Sequence, residues 1–235
     1  MLSKTTALRV LAFVLTFASV ITTGQDSQLS LPERVANLKA TFAASQANLR
    51  QYEWIETTVV SLKGEEKSRT TQRCFYGADG ALQKVIVDAP PPPDAKRGLR
   101  GKIIAKKTAD LTDYMNSAVT LIKTYLPPDP ARIQMTKDAG KVSIQVVEPG
   151  KRVRVNFRDY QKPGDNLAIG MDITKSVVTS VEVSSYLDAP TDVVTLEARM
   201  GQLNDGTIYT SDITLNAAVK NITVRVHNSG YRKTT

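Results

Sequence analysis

Apolar and polar positions along the chain change period three times, and each change marks an architectural unit. Over residues 31–50, Val35, Leu38, Phe42 and Leu49 fall near one face of a 3.6-residue period, with Gln46 interrupting it; Ala36, Ala40, Ala44 and Ala47 form a second strip. This predicts an amphipathic helix. Its start carries a Ser30-Leu31-Pro32-Glu33 capping box, with Pro32 early enough for its missing N–H to do no harm. The period then drops to two. Tyr52–Leu62, Lys67–Tyr76 and Ala81–Asp88 read as strands joined by turns at Lys63-Gly64-Glu65-Glu66 and Gly77-Ala78-Asp79-Gly80.

Four prolines, Pro90–Pro93, exclude a sheet over 89–101 and predict an extended loop serving as a crossover or a flap; the crossover is favoured. The helical period returns over Lys102–Leu126, with Ile104, Leu111, Met115, Ala118, Ile122 and Tyr125 near one stripe, and Pro127-Pro128 stops it. Asp129-Pro130-Ala131 suits the start of a further short helical turn. From Lys141 onward the period is two again, through Val142–Glu148, Arg152–Tyr160, Leu167–Ile173, Ser176–Leu187, Val193–Met200, Thr207–Leu215 and Val219–His227. In the second of these, Val153, Val155 and Phe157 alternate with Arg152, Arg154 and Arg158, so one face is apolar and the other basic. The tail from Lys233 is expected to fray.

No linker divides the pattern into separate cores. The expected fold is α+β: a single curved antiparallel sheet of about nine strands, a half-barrel, covered by two helices. The N-terminus lies outside that domain. Lys4 and Arg9 precede an uncharged run, Val10–Ile21, followed by Thr22, Thr23 and Gly24. That is the order of a cleaved signal peptide, and the run is shorter than the roughly 20 residues a membrane span needs. The expectation is a signal peptide over 1–24 and one domain over 25–235, exported to the periplasm or the extracellular space. No cysteine near the cut could carry a lipid anchor.

Composition narrows the chemistry. The single cysteine, Cys74, is adjacent to Phe75 in a strand-like run and is expected to be a buried, inert thiol. One histidine, His227, and one cysteine rule out the usual zinc spacings and leave no catalytic triad to assemble, so no metal, no cofactor and no enzymatic activity are expected. The carboxylates Asp88, Asp165, Asp172, Asp188, Asp192 and Asp205 fall at strand ends and turns, where Asp bonds local backbone N–H groups. Net charge is +8, falling to +6 without residues 1–24, which hold Lys4 and Arg9 and no acids. This favours anionic membrane surfaces; with no recognisable binding motif, nucleic acid is not expected.

Large apolar side chains sit on elements that should face one another: Phe42, Trp54, Phe75, Tyr114, Met115 and Ile122. They are the candidate lining of an apolar cavity under the helices, or the filling of a dry core. The order of elements over roughly 31–232, with a signal peptide, an amphipathic first helix, a long second helix splitting the strands and a basic mature chain, resembles the LolA/LolB-type periplasmic lipoprotein carriers and receptors. The resemblance implies a half-barrel closed by helices over an apolar cavity. The expected function is binding of a lipid, an acyl chain or a lipidated protein there; the alternative is a dry-cored envelope scaffold or protein-interaction module.

Overall fold

The computed structural model describes residues 40–41, 43–88 and 99–234; over 99–105 it describes the backbone alone. The expected capping box, Phe42 and the proline run lie outside those residues. Helix α1 ends at residue 49. It is followed by β1 (Tyr52–Leu62), β2 (Glu65–Tyr76) and β3 (Leu82–Asp88). Helices α2 (Leu99–Lys123) and α3 (Pro130–Asp138) come next. The remaining strands are β4 (Val142–Glu148), β5 (Arg152–Arg158), β6 (Asn166–Asp172), β7 (Val177–Tyr186), β8 (Val193–Gln202), β9 (Ile208–Ala217) and β10 (Ile222–Lys233).

All ten strands form one sheet in the order β3-β2-β1-β10-β9-β8-β7-β6-β5-β4. Every pairing is antiparallel. Two meanders are therefore welded by the first and last strands, and β3 and β4 are the open edges. The chain must cross the whole width between them. At ~4.8 Å per strand that width is about 43 Å if laid flat, and 25 helical residues at 1.5 Å rise span about 37 Å, so α2 has the length for the crossing. The prolines after Lys123 turn the chain into α3, where Pro130 occupies the first turn and the Asp129 side chain caps Ala131 N at 2.9 Å. The expected helical turn is thus a full helix, giving three helices.

The last strand is longer than its pattern, which ends at His227: β10 continues through Asn228-Ser229-Gly230 to Lys233. A bulge opposite Glu53–Ile55 takes up the extra residue, with Gly230 at φ +65°. Asn228 is held from both sides, accepting from Trp54 Nε1 at 3.1 Å and donating to Thr210 O at 3.0 Å. The tail is paired too, with Thr234 N donating to Gln51 O at 2.8 Å.

Register sorts the side chains onto two faces. The inner face bears the helices. Its first row runs Val142, Phe157, Leu167, Val183, Leu196, Leu215, Val224, Val60 across eight strands. Ala118 and Ile122 of α2, Tyr125 in the turn after it and Ile133 of α3 belong to the same buried cluster as this row. Cys74 is fully buried opposite Trp54, as expected, and burial raises its thiol pKa.

Candidate functional site

Helix α2 runs along one rim of the sheet, and tyrosine hydroxyls on it and just after it bond two of the rim loops. The Tyr125 hydroxyl donates to Asp165 in the β5–β6 loop and lies 2.8 Å from Ser185 Oγ on β7. Eleven residues earlier, Tyr114 donates to Asp192 in the β7–β8 loop, and Lys220 of the β9–β10 turn sits 5.7 Å from its ring centre. The nine residues from Tyr114 to the end of α2 rise about 14 Å, close to three strand spacings, so the helix crosses the strand ends rather than lying along a strand.

Asp165 is the centre of the deeper latch. It is buried, and one carboxylate oxygen collects the Tyr125 hydroxyl and the N–H groups of Gln161 and Lys162 at 3.0 and 2.8 Å. Its other oxygen, Oδ1, has no partner among the described residues. Burial, reinforced by the Asp165 contact, pushes the Tyr125 phenol far above its ordinary value. Burial and the Asp192 bond push Tyr114 up to about 12. In both cases the neutral phenol is the favoured form. The Tyr114 contribution to stability is therefore complete below about pH 10, the unfolded value, and is lost as pH rises through about 12. Tyrosinate absorbance followed with pH should show late-titrating phenols, and Tyr114→Phe should remove one of them.

Burial is uneven across the inner face. In the first inner row Phe157, Leu167 and Val183 are at most 2% exposed. In the next row, Val155, Ile169, Val181, Ala198, Ile213 and Val226, residues Val181, Ile213 and Val226 are only half-buried. Val153, Val178 and Met200, nearer the far rim, are half-buried as well. Val153, Val178, Val181, Met200, Ile213 and Val226 form a half-buried apolar apron on the inner face. The Lys84–Glu56 ion pair (2.7 Å) bounds it towards β3. The far rim carries an aromatic cluster: Trp54 stacks on Tyr231 (5.4 Å), which also meets Tyr209 (4.3 Å) and Tyr52 (6.4 Å). Helix α1 docks beside it, with Ser45 Oγ accepting from Ile208 N at 3.0 Å.

The residues singled out from sequence are dispersed by this geometry. Ile122 is buried in the core cluster and Met115 packs against it. Tyr114 belongs to the rim latch. Trp54 shares the inner face but lies eight residues along β1 from Leu62, about 26 Å of strand, so it is remote from Tyr114. Phe75 follows Cys74, the partner of Trp54, and so points to the outer face, where the Arg73 guanidinium lies 5.2 Å from its ring centre. Phe42 lies outside the described residues. The apron residues were not among the candidates. Their signal is alternation within β7–β9, which becomes a site only once register aligns the strands.

The outer face is polar. Arg152 and Arg154, two of the three bases that alternation placed there, are paired with Glu148 and Glu182, both at 2.7 Å. A depression of about 230 Å³ on this face is lined by Asn166, Glu182, Ser184, Thr195, Glu197 and Asn216. His227 is exposed and 2.7 Å from Asp212. Among the described residues there is no group of three or more potential metal ligands, and no helix is long and apolar enough to cross a membrane.

No family model matches the chain, and no curated protein does. Among solved structures, the chain is similar to a DUF1329 family protein from Desulfovibrio piger, with 10% identity over 83% of this chain and 92% of that one, at a TM-score of 0.36. It is also similar to MucB, solved in complex with MucA(peri), with 10% identity over 85% of this chain and 99% of that one, at a TM-score of 0.22.

Proposed function

We propose that this is a non-enzymatic exported binding protein whose inner face takes a lipid, an acyl chain or a lipidated protein. The observation that carries the reading is the apron of half-buried apolar side chains, Val153, Val178, Val181, Met200 and Ile213 packed against the buried core and Val226 beside Ile213 in the same row. An acyl chain laid over it needs no specific polar partner. At ~0.8 kcal/mol per buried methylene, seven methylenes contribute about 5–6 kcal/mol before ordering costs. The alternative, an interaction module without a ligand cavity, draws support from the close packing of Ala118, Ile122 and Tyr125 against the first inner row.

Native mass spectrometry of the purified protein, with solvent extraction, separates the two. Bound mass that extracts as lipid is the expected result. Ile213→Asp and Met200→Asp place a charge on the apron and should lower acyl-chain uptake at least tenfold while leaving the circular dichroism spectrum unchanged. A protein that stays bare when fatty acid or phospholipid is offered, or folded variants with undiminished uptake, would overturn the lipid reading.

A further inference from the structure

The two open edges of the sheet differ, and the difference points to a partner. Strand β4 pairs only with β5. Its side chains are exposed despite being largely apolar: Ile144 is 49%, Val146 58% and Val147 53% exposed. An edge strand with unpaired backbone groups is ordinarily protected by lysine, proline or an inward charge. Residues 142–147, Val-Ser-Ile-Gln-Val-Val, contain none of these. The other edge, β3, carries Lys84 near its middle.

We propose that β4 pairs with β4 of a second copy of this chain, antiparallel, extending the sheet across a two-fold axis. Three observations favour a second copy as the occupant. Val142, Ile144 and Val146 share the inner face, opposite Phe157, Val155 and Val153, while Ser143 and Gln145 share the outer face. An antiparallel pair about an axis normal to the sheet sets residues of the same parity opposite each other, so the apolar row meets itself and the Ser/Gln row meets itself. Residues 142–147 carry no charge, so no like charges are opposed in any register, whereas β3 carries Lys84 and Asp88. The neighbouring carboxylate, Glu148, is already engaged by Lys151 at 3.2 Å and Arg152 at 2.7 Å and does not repel the approach.

A contact of one strand pair is smaller than a standard stable interface, so the dimer is weak and concentration-dependent. Sedimentation velocity over a concentration series of the purified protein tests it. The expected result is a monomer–dimer equilibrium that Ile144→Lys and Val146→Lys each weaken at least about tenfold, equivalent to 1.4 kcal/mol. Val85→Lys on β3 should leave it unchanged. All three side chains are exposed, so the variants keep the fold, which thermal melts verify. A protein that remains monomeric at the highest attainable concentration overturns the proposal. So does a dimer indifferent to both β4 substitutions, or one abolished by Val85→Lys. A protein captured through β4 only by a foreign peptide, with no self-association, overturns it equally. Because Ile144→Lys neither replaces an apron residue nor lies directly opposite one, lipid uptake by that variant can fail or persist independently of the dimer.

Discussion

Asp165→Ala destabilises the protein by about 3 kcal/mol or more, because three donors lose one acceptor together. Tyr125 retains Ser185, but the Gln161 and Lys162 N–H groups have no replacement in a loop folded around the carboxylate. For a domain of this size the shift is roughly 6–12 °C in Tm. Tyr125→Phe provides the comparison. It removes one hydroxyl and leaves Asp165 with its two backbone donors, so the cost is smaller, about 1–2 kcal/mol. Thermal and urea unfolding of both variants check the order. Equal costs, or an Asp165→Ala variant within experimental error of the parent, would mean that the latch does not hold α2 to the sheet. The latch bears on function because α2 sets how far the inner face is covered.

The second large effect distinguishes two phenylalanines that a sequence pattern treats alike. Phe157→Ala costs about 3–5 kcal/mol, since the side chain is 1% exposed, in the first inner row and edge-on to Tyr160 at 6.4 Å. Phe75→Ala costs about 1 kcal/mol, since its ring is half-buried on the outer face with the Arg73 guanidinium near it. Urea midpoints measured side by side decide the matter. A reversed order would mean that the faces have been assigned the wrong way round.

These cases mark what was legible along the chain. The helix–meander–helix–meander order, the α+β class, Asp129 as a cap and Cys74 as a buried thiol all follow from local physics. Period, turn chemistry and capping act over a few residues, and those residues are adjacent in sequence. The end of β10 was missed for the same reason in reverse. Asn228-Ser229-Gly230 is a turn by local preference, and it is held in a strand by Trp54 and Thr210, which lie 174 and 18 residues away.

The candidate site depended still more on long-range structure. Alternation says that Trp54 and Cys74 differ in facing from Phe75 only after β1 and β2 are registered against each other. Likewise, Val181, Ala198 and Ile213 are unremarkable members of three separate strands until pairing sets them in one row. Tyr125 looked like an ordinary member of an apolar stripe, and Tyr114 like part of the lining of an apolar cavity. The tertiary structure instead gives their hydroxyls to Asp192 and Asp165 and makes them the pins of the crossing helix. The sequence by itself determined which segments are helix or strand and which side chains seek burial, because those are local properties of spacing and chemistry. Which strand joins the two meanders, which face each ring occupies and where the apolar surface stays open were decided only by tertiary structure, because each rests on contacts between residues far apart in the chain.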